Sequence, residues 1–324
     1  MNKALQQEML YPKNENGIYL YEYPIIGGMP QYVQMRGTDK TNPLMLVLHG
    51  GPGGSMAGIC QEVQKDWEDR YTVVNYDQRN TCKTYLKNKA KAKEVAGTGT
   101  VNDYVEDIHE VIRYLHTVYA FDKLILLGFS WGSVIGAEYV KKYPEDVAKY
   151  LGVGQFVNFA EGYRYICDQM LAQDMTANEK KKVAYLKETF PASPVMDKKL
   201  LALIRQFGMM ASRKMAKSGK PFPLKAVLSS PFLTAKEKRA MLMTDWKMLS
   251  GTYNTMLNYD FRDNMEFTVP VHFIYGAEDI SCPAQMMQNI YEEIKATDKK
   301  ITILEKATHM CFYDQPEAFM NALS

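Results

Sequence analysis

The stretch Leu124-Ile125-Leu126-Leu127-Gly128-Phe129-Ser130-Trp131-Gly132-Ser133 constrains this chain most, because three conformations must follow one another there almost without spacing. Leu124–Leu127 is an apolar run suited to a buried strand. Gly128-x-Ser130-x-Gly132 demands a tight bend, and Val134, Ala137 and Val140 then recur with helical spacing. On such a bend the serine is strained and its hydroxyl is held out at the strand end. Side chains at Gly128 and Gly132 would collide, and Gly136 lets the helix lie close against the strand. A serine held this way is a candidate nucleophile, so the remaining chain is expected to supply a base, an acid that orients it and oxyanion donors.

At 324 residues the chain can form one large domain with an insertion, or two domains. A net charge of +2 gives no electrostatic case for nucleic acid or an anionic membrane as partner. The five cysteines, Cys60, Cys82, Cys167, Cys282 and Cys311, show no Cys-x-x-Cys spacing. Neither a zinc site nor a disulfide framework is expected, and a reducing compartment fits. No apolar run approaches a membrane span, and Met1-Asn2-Lys3-Ala4-Leu5-Gln6-Gln7 lacks the apolar centre and cleavage site of a leader. The expected location is the cytoplasm, and no metal or cofactor is expected.

In chain order, Ile18–Tyr23 and Tyr32–Met35 read as strands joined through Gly27-Gly28 and Pro30. Leu44-Met45-Leu46-Val47-Leu48 is continuously apolar, as in a strand buried on both faces of a parallel sheet. It runs into His49-Gly50-Gly51-Pro52-Gly53-Gly54-Ser55. So glycine-rich a loop is costly to order and suits a place where backbone must approach a ligand. It lacks the Gly-Lys-Ser/Thr of a phosphate loop, which leaves a tight structural turn or a backbone N–H aimed at an oxyanion. Tyr71–Tyr76 is another buried strand, followed by Asp77-Gln78-Arg79, and Lys87–Lys93 reads as a solvated loop. Asn102-Asp103 opens an amphipathic helix with Val105, Ile108, Ile112 and Leu115 on one face. Strands at Lys123–Leu127 and Tyr150–Gly154 continue the alternation expected of a parallel α/β sheet flanked by helices.

After Gln155 the rhythm changes. Residues 157–263 carry helical, lysine-rich segments at Glu161–Gln173, Ala177–Phe190, Lys198–Ser218 and Thr234–Leu249. Strand patterns resume at Pro270–Tyr275 and Lys300–Leu304, and Pro316–Ala322 closes the chain as a helix. The predicted organisation is a sheet domain of residues 1–156 and 264–324, interrupted by a helical cap over 157–263.

Functional groups of such a sheet gather at the carboxyl ends of its strands. His109 and His116 fall on a helix flank, His272 lies within a strand, and His49 opens the glycine loop, where a structural role fits. His309, in the polar loop after the last strand, is the candidate base. The acid should follow a strand between Ser130 and His309, and both Glu278 and Asp279 do, with Asp279 preferred for its shorter carboxylate. Asp260 and Asp263 remain as alternatives at the insertion boundary. The order Ser130, Asp279, His309 is that of an α/β-hydrolase, with the backbone N–H groups of Trp131 and Gly51 as oxyanion donors.

The motifs His49-Gly50-Gly51-Pro52-Gly53-Gly54, Asp77-Gln78-Arg79 and Gly128-Phe129-Ser130-Trp131-Gly132 together resemble the prolyl iminopeptidase branch of the α/β-hydrolases. The resemblance implies a serine hydrolase with a helical cap, Ser130 as nucleophile, Asp279 and His309 as its partners, and Gly51 with Trp131 at the oxyanion. The chain departs from that branch at Asn80-Thr81-Cys82, where glycines are usual, and in its cap. There a lone tryptophan, Trp246, lies between Asp245 and Lys247, so the family's amine-reading residues find no counterpart.

The cap is also rich in methionine, including Met170, Met175, Met209, Met210, Met241, Met243, Met248 and Met256. These are either its core or, in part, the wall of an apolar pocket for an acyl or aromatic group, with Tyr163, Tyr165, Phe207, Trp246 and Tyr253 as companions. The expected function is cleavage of an ester or amide, including an amino-terminal prolyl bond, in a small molecule or short peptide. The contrasting reading is a catalytically idle fold that binds a small molecule or a protein.

Overall fold

A computed structural model describes residues 3–95, 99–243 and 246–323. Eight strands form the main sheet: β1 (Ile18–Glu22), β2 (Val33–Gly37), β3 (Leu44–Leu48), β4 (Thr72–Tyr76), β5 (Leu124–Phe129), β6 (Val147–Val153), β7 (Val271–Gly276) and β8 (Lys299–Leu304). Their order is β1-β2-β4-β3-β5-β6-β7-β8. The pairs β1/β2 and β2/β4 are antiparallel, and every pairing from β4 to β8 is parallel. A two-stranded hairpin, Ile25–Ile26 with Met29–Pro30, fills the connection between β1 and β2.

The apolar run of β3 is buried throughout, and its side chains alternate between two separate cores. Leu44, Leu46 and Leu48 join Ile108, Ile112 and Leu115 of helix Val101–Val118 and Val134 and Ala137 of helix Trp131–Lys142. Met45 and Val47 join the opposite core, where Trp67 stacks on Phe319 at 5.3 Å and meets Phe312 edge-on at 5.9 Å. Burying each such side chain stabilises the fold by roughly 1.5–3 kcal/mol. Helix Val101–Val118 begins at a capping box in which the Asp103 N–H donates to the Thr100 hydroxyl and the Thr100 N–H donates to the Asp103 carboxylate.

Between β6 and β7 the described residues contribute no strand to either sheet. They form helices Phe159–Leu171, Ala177–Thr189, Lys198–Lys214, Leu224–Ser229, Ala235–Leu242 and Ser250–Leu257. The two ends of this segment meet at a neck. Asn158 bridges Asp260, the Asn158 amide donates to the Asp260 carboxylate at 3.0 Å, and the Phe261 N–H donates to the Val157 carbonyl at 2.9 Å.

Some local expectations are overturned. The solvated loop expected over Lys87–Lys93 is helical instead, ending one helix at Lys87 and opening another, Lys89–Val95. Ala90 and Ala92 are strong helix formers, and Ala92 is buried while Lys87, Lys89 and Lys91 are exposed. The single helix expected over Thr234–Leu249 stops at Leu242, followed by a short 3-10 turn, Trp246–Leu249, and a separate helix from Ser250. The amino-terminal helix Lys3–Leu10 was not anticipated. Among the described residues no helix is long and apolar enough to cross a membrane.

Candidate active site

Ser130 follows β5 at φ 54° and ψ −119°, a conformation that non-glycine residues rarely adopt. Its N–H donates to the Val153 carbonyl at 3.0 Å, which pins the bend to the end of β6. The Ser133 hydroxyl donates to the Ser130 carbonyl at 2.6 Å and accepts the Phe156 N–H at 2.9 Å, holding the bend from below. A Cβ on Gly132 would stand 2.0 Å from the Leu48 carbonyl oxygen, so the helix starts in direct contact with β3. Trp131 is the first residue of that helix, where an N–H has no intrahelical acceptor.

The glycine loop lies against this bend. A Cβ on Gly50 would come within 3.0 Å of the Ser130 Cβ, and the Gly54 N–H donates to the Gly50 carbonyl at 2.9 Å. Gly51 has φ 119° and faces the same cavity as Ser130. Gln78 couples the loop to the elbow. Its side-chain oxygen accepts the Trp131 indole N–H at 2.9 Å, and its amide donates to the His49 carbonyl at 3.1 Å. The Gln78 backbone N–H donates to His49 Nε2 at 3.2 Å, while Nδ1 pairs with the Gly50 carbonyl at 2.9 Å. Burial pushes the His49 pKa down to about 4, so the ring is a neutral strut. Arg79 forms an ion pair with the fully buried Asp107 carboxylate, which also accepts a hydrogen bond from Gln31 at 2.9 Å.

His309 Nδ1 lies 2.8 Å from Asp279 Oδ2. The other oxygen, Asp279 Oδ1, accepts the N–H groups of Ser281 and Cys282, both at 2.8 Å. The Asp279 side chain is fully buried while that of His309 is 24% exposed, as suits a fixed acid beside an accessible ring. Gly154, at φ 54° after β6, makes room for the pair: a Cβ there would lie 3.3 Å from both Asp279 Oδ2 and His309 Cε1. Glu278 is engaged elsewhere, accepting the Ser218 N–H at 2.8 Å and its hydroxyl at 2.5 Å. Asp260 is committed to the neck and to Arg262. Asp314 accepts hydrogen bonds from Thr308, the residue before His309, and from Lys220 of the helical segment.

Cys282 was not singled out from the sequence, yet its thiol lies beside the Ser130 hydroxyl. An Asp279 oxygen, the Cys282 sulfur and a His309 ring nitrogen lie within 4.8 Å of one another, a grouping that could hold a metal ion. The protein already uses these groups internally: Asp279 pairs with His309, and burial pushes the thiol pKa far up, away from the thiolate a metal requires.

Ser130, Gly51, Cys282 and His309 face a cavity of about 440 Å³. The helical segment supplies its far wall, with Phe159, Tyr163, Met196, Leu201, Ile204, Phe207, Tyr253 and Met256. Of the companions named from the sequence, Tyr163, Phe207 and Tyr253 line this cavity, and the Tyr253 hydroxyl reaches the Pro52 carbonyl at 3.5 Å. The side chain of Trp246 lies outside the described residues. Of the methionines weighed for the wall, Met256 faces the cavity, Met170 and Met175 are buried in the core, and Met209 and Met243 are exposed. His109 and His116 sit on their helix and stack on Tyr143 and Phe121, and His272 pairs with Thr302 within the sheet.

Sheet order, elbow and strand-end loops define an α/β-hydrolase. The family model described as serine aminopeptidase, S33, matches residues 39–316, and the chain belongs to that family of hydrolytic enzymes. The chain is 25% identical over 325 residues to the protein named "Probable aminopeptidase YbaC" of Bacillus subtilis, covering 92% of this chain and 93% of that one. It is 22% identical to a proline iminopeptidase of Clostridium botulinum, over 89% of this chain and 90% of the relative. Among solved structures, the proline iminopeptidase of Mycobacterium smegmatis superposes with a TM-score of 0.68 at 18% identity, covering 94% and 96% of the two chains.

Proposed function

We propose that the protein is a serine hydrolase that cleaves an ester or amide of a small molecule or short peptide through an acyl-enzyme on Ser130. The observation that carries this reading is the strained Ser130 opening into one cavity with His309, whose far nitrogen is held by Asp279. Ser130 Oγ attacks the substrate carbonyl carbon as His309 Nε2 takes its proton. Asp279 keeps Nδ1 protonated, which fixes the tautomer and favours the imidazolium that forms. The carbonyl oxygen becomes an oxyanion received by the N–H groups of Gly51 and Trp131, and loss of one such donor costs about 3 kcal/mol of transition-state stabilisation. The tetrahedral intermediate collapses, and the leaving alcohol or amine departs with the proton from His309. Water then gives a proton to His309 and attacks the acyl carbon, and Ser130 is regenerated as the acid product leaves.

The described residues facing the cavity include no aspartate or glutamate, which favours an uncharged apolar group there over a protonated amino terminus. The relatives named aminopeptidases make amino-terminal prolyl bonds the second reading. A fluorophosphonate probe combined with neutral acyl esters, amides and prolyl amides, applied to wild type and Ser130→Ala, tests both. Labelling and turnover that vanish in Ser130→Ala are expected, with the neutral acyl substrates preferred. A preference for prolyl amides would establish the second reading. Equal labelling of both proteins would remove the catalytic one and leave a binding module.

A further inference from the structure

Helix Lys198–Lys214 lays one face against the active-site cavity, and one position on that face has no side chain. Leu201, Ile204, Phe207 and Gly208 all line the cavity. At about 100° per residue, Gly208 falls between Leu201 and Ile204 around the helix, about 20° from the one and about 40° from the other. The bare backbone at Gly208 is thus flanked by two apolar side chains of the same wall. A Cβ added to Gly208 would meet no atom within 4 Å, so the space over the glycine is open.

Neither backbone nor packing calls for glycine at this position. Inside a helix glycine destabilises by about 0.5–1 kcal/mol relative to alanine. Gly208 lacks the positive φ that explains Gly28, which has equally open surroundings. It also lacks the close neighbour that explains Gly136 in helix Trp131–Lys142, where a Cβ would lie 3.0 Å from the Tyr150 ring. What Gly208 does face is a largely apolar cavity of about 440 Å³, the size of an ordinary small-molecule site. A side chain like that of Leu201 in its place would take up part of that volume.

We propose that Gly208 is a specificity-determining position, whose missing side chain leaves room for an extended apolar group of the substrate along the face of Leu201 and Ile204. The substrate class is an ester or amide carrying a medium-length alkyl chain on one side of the bond that is cleaved. This assignment rests on the hydrolase reading above and names what the cavity selects by size.

The test compares wild type with Gly208→Leu, Gly208→Ala and Ala202→Leu, the last adding the same side chain on the exposed side of the same helix. The ratio of kcat/KM for a long over a short ester is measured in two series, so that a general loss of activity cancels. 4-Nitrophenyl octanoate against 4-nitrophenyl acetate varies the acyl side, and octyl acetate against ethyl acetate varies the alcohol side. In one of the series the ratio is expected to fall about tenfold in Gly208→Leu and about threefold in Gly208→Ala, the scale of steric selection in an apolar pocket. Ala202→Leu is expected to keep the wild-type ratios. Ratios unchanged in both series for the two Gly208 variants would overturn the assignment, as would an equal fall in Ala202→Leu. Calorimetric titration of octanamide and N-octylacetamide into Ser130→Ala, with and without Gly208→Leu, separates the two claims. If hydrolysis survives in Ser130→Ala, the catalytic reading falls. A tenfold loss of affinity for either amide with Gly208→Leu would still support Gly208, and unchanged affinity for both would count against it.

Discussion

Asp314 accepts two hydrogen bonds from Thr308, the backbone N–H at 2.7 Å and the hydroxyl at 2.6 Å. Its other oxygen accepts the Lys220 N–H at 2.8 Å, and a Cβ on Gly219 would meet the Thr308 side chain at 2.7 Å. One buried carboxylate therefore sets the residue before His309 and ties it to the helical segment. Asp314→Asn, which turns an acceptor oxygen into a donor, is expected to lower kcat about tenfold while KM changes less than about threefold. Steady-state kinetics and a thermal melt on the same preparation check this, and an unchanged kcat would show that the base loop holds itself.

Gln78 joins the elbow tryptophan to the glycine loop through its side-chain amide. Gln78→Leu removes both ties at similar size. The expected result is a kcat reduced about 10- to 100-fold with KM nearly constant, since losing an oxyanion donor outright costs about 100- to 1000-fold and misplacing one costs less. A larger effect on KM than on kcat would assign Gln78 to substrate binding instead.

Two glycines should respond in opposite ways to alanine. Gly132→Ala would drive a methyl group into the Leu48 carbonyl oxygen at 2.0 Å and is expected to cost more than about 3 kcal/mol or to abolish soluble folded protein. Gly208, inside helix Lys198–Lys214, has no atom within 4 Å of an added Cβ. Gly208→Ala is expected to stabilise by about 0.5–1 kcal/mol. Urea unfolding of both variants decides the matter.

His49 and Asp77 should tilt stability against pH in opposite directions. Burial pushes the His49 pKa down from 6.5 to about 4, so between those values the unfolded chain binds more protons and stability falls as the solution is acidified. Burial pushes the Asp77 pKa up from 3.8 to about 6, so there the folded chain binds more protons and stability falls as pH rises. At about 1.4 kcal/mol per pH unit, each contributes up to about 3 kcal/mol across its window. His49→Gln should flatten the decline in unfolding free energy between pH 7 and pH 4.5, and Asp77→Asn should steepen it. Identical slopes in wild type and both variants would show that neither group is linked to folding.

The strands of the sheet were legible because β3 and β5 open on short unbroken apolar runs, Leu44–Leu48 and Leu124–Leu127, and β4 and β7 are mostly apolar with Asn75 and His272 as interruptions, all running into glycine or a polar cluster. That pattern has few readings other than a strand buried on both faces. The encounter of Ser130, Asp279 and His309 was legible for a related reason: each stands just past a strand end, and parallel strands bring such ends to one edge. What stayed hidden depends on contacts distant in sequence. Asp107 lies on the amphipathic helix, yet it is fully buried in an ion pair with Arg79, a partner distant in sequence. Gln78 gains its role only because β4 lies beside β3, and Cys282 because its loop folds under Ser130. The helix over Lys89–Val95 was obscured because a run of lysines carries no apolar period, and Ala92 alone is its buried anchor among the described side chains.

The neck formed by Asn158, Asp260 and the Phe261–Val157 hydrogen bond leaves the helical segment's two ends side by side on adjoining strands. Because its stem is already closed, a stretch of different length could be grafted between those anchors with little extra entropy of loop closure, about 0.6 kcal/mol for each doubling. The bond-breaking edge of the sheet would keep its register throughout. A lineage carrying this stem can therefore exchange what it recognises by recombination at two neighbouring points, while the machinery that does the chemistry is inherited intact.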